Sequence, residues 1–229
     1  MATDSAPSSV LRPTLRERKK QRTREALIDT ALRLFTQRDF DGVTLDELCD
    51  RVEVSKRTFF RTFASKEEVA MAPYEDMWRA FINELESRPV AAECSILQVL
   101  QEAVLAAMRT MDTGEWAHRL LSCTRLAGRT PAIEAHCRYF CGVTVRAALD
   151  VLHRRFGLDP HDLRPRLALD ILVAAFHRAL ETWADRPQDP TAEHLATDTL
   201  AAFAAIPGSL TLTGAAPADR APQSRVGTL

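Results

Sequence analysis

TLDELCDRVEVSKRTFFRTFASKEEV, residues 44–69, sets Lys56, Arg57, Arg61 and Lys66 among three phenylalanines, Phe59, Phe60 and Phe63. A core helix excludes the charges and a solvated helix excludes the rings, so one face must pack inward while the other meets something negative. The punctuation of the stretch says where its helices begin. Thr44 and Glu47 stand at the offset of a capping box and predict a short helix from Thr44, with Leu48 and Val52 as its last inward residues. Ser55 is a good N-cap for a further helix through Phe63, and Ser65 with Glu68 forms a second capping box opening the next. Upstream, Leu27, Ile28, Ala31, Leu34 and Phe35 recur at helical spacing, and the FDG at 40–42 ends that helix. Three helices this short, the second and third separated by about three residues, are the layout of a helix-turn-helix. Phe59 and Phe63 lie four apart and share the inward face, which leaves Lys56, Arg57 and Arg61 to project.

Composition agrees with a folded protein that meets a polyanion at one end. The chain has 229 residues, a hydrophobic fraction of 46% and a net charge of -1, enough to bury a core without staples. From Arg12 to Lys66 there are 14 Lys and Arg against 9 Asp and Glu, so a basic head sits on an acidic body. The five cysteines, Cys49, Cys94, Cys123, Cys137 and Cys141, have the spacing of neither a zinc site nor a disulfide framework, which points to a reducing interior. With no apolar leader and no long apolar run, a cytoplasmic protein is expected.

Past Glu68 the pattern stays helical. A long helix is expected to Glu86, another over 94–111, a short one after Gly114, and one from Pro131, capped by Thr130, to Phe156 with Gly157 as its stop. Helices over 166–185 and 192–205 follow, separated by RPQDP. No stretch has strand periodicity, so the fold class is all-α. A bundle of this kind can hold a cavity between its helices. Phe81, Trp116, Leu120, His136, Phe140 and Phe176, large or partly polar on inward faces, are the candidate ligand-binding residues.

Between Thr23 and Val69 the chain resembles the TetR family of bacterial transcriptional regulators. The resemblance rests on Phe35, Gly42, Thr44, Cys49, Ser55, Phe60, Phe63 and the SKE of Ser65 to Glu67, about a fifth of the chain. It implies a three-helix DNA-binding head joined to a helical ligand-binding body, working as a homodimer through 166–185 and 192–205, where Ala168, Ala175 and Ala179 would permit close helix approach. The organisation that follows is a flexible basic arm over 1–20, the helix-turn-helix head over 21–67, the ligand-binding and dimerisation domain over 68–207, and a flexible tail over 208–229. Two positions depart from the family. Phe60 stands where a Tyr hydroxyl usually touches a phosphate, and Glu53 replaces the usual Gly of the turn, at a cost of about 1 kcal/mol if the backbone there is left-handed.

The resemblance places Lys56, Arg57 and Thr58 in the first turn of the helix that reads bases, with Ser55 and Phe60 beside them. The planar fork of Arg57 matches the O6 and N7 acceptors of guanine. Thr44, through its helix amino end, and Lys66, as a point charge, are expected on phosphates. Of the arm residues Arg16, Arg18, Lys19, Lys20, Arg22 and Arg24, the last two are the candidates for following the DNA backbone. The cysteines read as core: Cys49 lets two helices approach, and Cys137 with Cys141 is an i, i+4 pair lacking further ligands, so no metal is expected. No enzymatic fingerprint occurs and no cofactor is implied. The expected function is a ligand-responsive regulator, most naturally a repressor, which binds a palindromic double-stranded operator and is released by a small hydrophobic or acyl-CoA-like effector, with no membrane partner. The alternative is a TetR-fold module for a metabolite or a protein, its DNA binding lost.

Overall fold

Most of the helices begin where a hydroxyl can accept from a backbone N–H that the helix itself leaves free. In the computed structural model, which describes residues 14–89, 93–111, 115–186 and 191–214, Thr14, Thr44, Ser55, Ser65, Ser95 and Thr191 each accept from the amide three residues on. Each such cap contributes about 1 kcal/mol. The helices among the described residues are α1 (Leu15–Arg38), α2 (Leu45–Arg51), α3 (Lys56–Phe60), α4 (Lys66–Ser87), α5 (Ile96–Thr110), α6 (Trp116–Ala127), α7 (Pro131–Phe156), α8 (Leu163–Ala184) and α9 (Ala192–Leu210). Pro131 starts α7, and Gly157 ends it with a left-handed φ of 61°, a conformation glycine adopts without a Cβ clash. The fold is all-α.

Four boundaries differ from the sequence expectation. The arm, expected to be flexible through residue 20, is helical from Leu15, because Thr14 and Glu17 close a reciprocal capping box; residues 1–13 lie outside the described residues. The third helix stops at Phe60 rather than Phe63, and its last turn tightens as the Thr62 N–H donates to the Phe59 carbonyl at 2.7 Å. α8 begins at Leu163, three residues early, because a proline in the first helical turn gives up an N–H that has no partner there. α9 continues through Pro207 to Leu210, so residues 208–210 of the expected tail are helical; residues 215–229 lie outside the described residues.

α4 is the axis of the molecule. It packs against α1 of the head and against α5, α6 and α7 of the body, while α8 and α9 pair with each other and cover α5. One apolar cluster runs without a break from Leu27 in α1 to Ile206 in α9. Its middle is aromatic: Trp78 lies 5.3 Å from Phe81 and 5.2 Å from Phe176, both edge-on. Buried Pro73 sits inside α4 and lacks the N–H that the Val69 carbonyl would otherwise accept from.

The alanines expected to face a partner face inward instead. Ala179 is buried, and Ala168 and Ala175 are half-buried against the chain's own core. The outward side of α8 carries Leu163, Leu167, Ala174 and Arg178, and that of α9 carries Leu200, Ala201 and Ala204.

Candidate nucleic-acid interface

The turn between α2 and α3 is a helix stop built from backbone alone. The Val54 N–H donates to the Cys49 carbonyl at 3.0 Å and the Glu53 N–H to the Asp50 carbonyl at 3.2 Å, the paired bonds of a Schellman motif. Its pivot residue must be left-handed, and Glu53 has φ 55°. The position that calls for glycine is thus occupied by a side chain, at a cost of about 1–2 kcal/mol. At the other loop of the head, Gly42 cannot be replaced freely, since a Cβ there would stand 2.7 Å from the Arg38 carbonyl oxygen.

α3 is held from behind by its rings. Phe59 and Phe63 are buried, 5.9 Å apart, and Phe59 meets Phe60 edge-on at 5.5 Å. Cys49, buried in α2, supplies the small side chain where α2 and α3 approach, and burial is the first cause pushing its thiol pKa up. The front of α3 is open. Ser55, Lys56, Arg57 and Phe60 are exposed and Thr58 is half-buried, its hydroxyl 3.1 Å from that of Ser55. Lys56 rests on Asp46 at 2.7 Å with both side chains more than half exposed, a pairing that a phosphate or a base can exchange at little cost. Arg57 takes part in no ion pair among the described residues and stands free in the first turn. The ring of Phe60, 56% exposed, has no hydroxyl to offer. Thr44 is exposed with its hydroxyl committed to capping α2, and Arg22 is exposed on α1.

Two expected DNA contacts are corrected by their surroundings. Lys66 does not project as a point charge: its ammonium donates to the carbonyls of Phe40 at 2.9 Å and Val43 at 2.6 Å and lies 4.4 Å from the centre of the Phe40 ring. It ties the start of α4 to the loop before α2. Arg24 is not an arm residue either. Its guanidinium covers the Phe63 ring at 5.2 Å and makes two parallel bonds of 2.8 Å to Asp76 in α4. A smaller correction concerns Glu47, which does not reach back to Thr44 but pairs with Arg38 and Arg51.

Arg24 opens a chain of charges between head and body that spacing alone could not reveal. Asp76 also receives Arg79, which in turn pairs with Glu75; Glu75, 2% exposed, is met from α7 by His136 Nε2 at 2.7 Å. That contact is the first cause raising the His136 pKa. On the other flank Arg119 of α6 grips Asp29 of α1 with bonds of 2.6 and 2.8 Å. The spacing of Glu75, Asp76 and Arg79 was visible in the sequence; Arg24 and His136, which complete the chain, lie too far along it to be read from any pattern.

The candidate ligand-binding residues do not converge on one void. Phe81, Leu120 and Phe176 are fully buried core, His136 is engaged by Glu75, and Phe140 borders a narrow crevice with Trp78 and Cys141. Trp116 alone of the six lines a cleft of about 490 Å³ between α1, α4, α5 and α6. Its indole N–H donates to the Pro73 carbonyl at 2.9 Å, and Arg24, Asp76, Arg79 and Arg119 form the rim. No group of three or more His, Cys, Asp or Glu among the described residues is arranged to hold a metal ion. No helix among them is long and apolar enough to cross a membrane.

Comparison with known proteins bears on the two halves separately. Residues 27–72 match the description "Bacterial regulatory proteins, tetR family", and residues 94–205 match "MftR C-terminal domain". The HTH-type transcriptional regulator TcmR of Streptomyces glaucescens is 33% identical over 79% of this chain and 81% of its own length. The regulator MftR of Mycobacterium tuberculosis is 23% identical over 72% of this chain and 82% of its own. The biofilm operon icaADBC HTH-type negative transcriptional regulator IcaR of Staphylococcus epidermidis is 31% identical over 26% of this chain and 32% of its own.

Proposed function

The chain belongs to the TetR family of bacterial transcriptional regulators, a family of regulators and not of enzymes, and on that premise we propose that it is a repressor that binds a palindromic operator as a homodimer and lets go when a small effector binds. The observation that carries this reading is the open front of α3, where Arg57 stands exposed in the first turn with Lys56 and Thr58 beside it. In this reading Arg57 reads a guanine, Lys56 leaves Asp46 for the duplex, Thr58 and Ser55 supply hydroxyls, Phe60 packs on sugar or a thymine methyl, and Thr44 with Arg22 positions the backbone. Repression is favoured because IcaR, similar over 60 residues of this chain, is named a negative regulator.

The effector in this reading is a small hydrophobic or acyl-CoA-like molecule. Support comes from the head–body cleft, whose volume of about 490 Å³ falls in the range of ligand sites. Trp116 gives it an apolar surface and Arg24, Arg79 and Arg119 give it cations. A ligand that draws Arg24 from Asp76 changes how the head is held, and so shifts the population of dimers whose heads match successive major grooves. The dimer would form on the outward faces of α8 and α9, with Leu167 and Leu200 at the seam, each more than half exposed.

Fluorescence anisotropy with duplexes from the region upstream of the gene, each against a scrambled competitor, tests the reading. Arg57→Ala should lose about 1–3 kcal/mol of discrimination at one base position while non-specific binding barely changes. Leu200→Glu should sediment as a monomer and lose operator affinity, since a two-fold seam receives every new charge twice. A wild-type dimer that ignores every upstream duplex would instead favour the module without DNA binding, which the left-handed Glu53 and the hydroxyl-free Phe60 would suit.

A further inference from the structure

Four side chains with no part in the proposed function meet between α4, α7 and α8. Tyr74 of α4 is buried, its hydroxyl 2.8 Å from His177 Nε2 and 3.4 Å from Cys141 Sγ. The phenol has one proton to give and lone pairs to accept with, so it joins the Cys141 sulfur to the His177 imidazole in one line. Cys137 stands one turn before Cys141 on α7. The neighbouring Cys137 thiol is the first cause holding the Cys141 thiol below the usual range, with His177 and Tyr74 acting in the same direction against burial. Cys141 is half-buried and borders an apolar crevice shared with Trp78, Phe140 and Val173. Cys141 therefore has the Tyr74–His177 line on one side and, on the other, a narrow apolar crevice with room for about one water-sized group.

The other cysteines share none of this. Cys123 is fully buried and its thiol is pushed up to about 12 by burial. Cys49 is buried under α3 and also raised. Cys94 is half-exposed at the start of α5, with Gln98 as its only hydrogen-bond partner among the described residues.

We propose that Cys141 is a hydroperoxide-reactive thiol with Cys137 as its resolving partner, assembled by the Tyr74–His177 pair and the crevice beside it. The Cys141 thiol gives its proton to the Tyr74–His177 line, the thiolate attacks one oxygen of ROOH, the O–O bond breaks, and the departing oxygen takes up one proton from water. The products are a sulfenic acid on Cys141 and ROH: sulfur loses two electrons and the peroxide gains them. The Cys137 thiol then attacks Cys141 Sγ, the S–O bond breaks, and water leaves with the Cys137 proton to give a disulfide. Residues four apart on a helix have Cβ atoms about 5–6 Å apart, against about 3.5–4.5 Å in a disulfide. Oxidation must therefore distort α7 at this turn, beside the α4 that carries the head. The proposal stands apart from the reading of α3, and its test involves no DNA.

The full chain, reduced and then freed of reductant, is treated with equimolar hydrogen peroxide in the presence of dimedone and mapped by peptide mass spectrometry. Cys141 should react at least about tenfold faster than Cys94, the thiolate environment outweighing exposure. Wild type should proceed to a Cys137–Cys141 disulfide, two hydrogens lighter, whereas Cys137→Ser should stop at the dimedone adduct of Cys141. Tyr74→Phe, which keeps the ring and removes the relay, should slow Cys141 by about fivefold or more with an unchanged circular dichroism spectrum. Equal rates at Cys94 and Cys141 in the wild type, which need no variant to observe, would overturn the proposal. So would an undiminished rate in a folded Tyr74→Phe, which would leave the cluster as packing.

Discussion

Across the seam between head and body, side chains meet as charges, Arg24 on Asp76 and Arg119 on Asp29, whereas inside the body they meet as rings, Trp78 between Phe81 and Phe176. The two kinds of contact answer differently to change. Ring packing is worth roughly its buried area, has no alternative partner, and is lost only when the body comes apart. A guanidinium at a half-exposed seam can trade one carboxylate for another anion and leave both halves folded. A regulator needs both properties in adjoining places: a body that keeps its shape, and a joint that an incoming ligand can renegotiate.

The largest effect should come from the rings. Phe176→Ala empties a fully buried position beside Trp78 and should cost about 3–5 kcal/mol in urea unfolding, hardly altered by salt. Asp76→Ala acts on the other side of the comparison, stripping Arg24 of its carboxylate and Arg79 of one of two close ones. The expected loss is about 1–3 kcal/mol, measured in the same titration. It should shrink in high salt as chloride takes the vacated place. If the two variants lost equally and neither responded to salt, seam and core would be one kind of contact.

Smaller still, Glu53→Gly should stabilise the head by about 1 kcal/mol, because the left-handed turn no longer strains a side chain. Thermal denaturation checks the sign, and a destabilised variant would mean that the Glu53 side chain contributes more than its strain costs. The least effect is one of pH. His136 has its pKa raised from an ordinary 6.5, first by Glu75. A group whose pKa rises on folding adds its stability in full below the unfolded value and gives it up as pH climbs through the folded one. Stability should accordingly decline from about pH 6.5 upward, and His136→Gln should flatten that slope. A slope unchanged by the substitution would assign the pH dependence elsewhere.

The head was legible from sequence because its signals are local. Thr44, Ser55 and Ser65 announce helix starts within three residues, Phe59 and Phe63 show their shared face through spacing, and Glu53 marks the turn by standing where glycine belongs. Lys66 and Arg24 were misread for the opposite reason. A basic residue in a basic stretch looks free, and only the fold brings the Phe40 and Val43 carbonyls or Asp76 to it. The body gave up its helices but not their facing. The alanines of α8 fit a seam between subunits and a seam within one chain equally well, and nothing in a periodicity of 3.6 distinguishes them. The candidate pocket residues were chosen for size and polarity, which core aromatics such as Phe81 and Phe176 share with ligand-lining ones.

Pro73 gives the long central helix a mechanical character that neither seam nor core supplies. With one rung of its ladder missing between Val69 and Pro73, α4 is a notched beam, stiff along its length and compliant in one bending direction. The notch lies just above the head, and the carbonyl of Pro73 itself is loaded by Trp116 from the wall of the cleft. On the proposed reading, a ligand in the cleft that pressed on that indole would act at the compliant point of α4 rather than on a rigid rod. Pro73→Ala would fill the notch. The head should then keep its affinity for DNA while becoming deaf to whatever occupies the cleft.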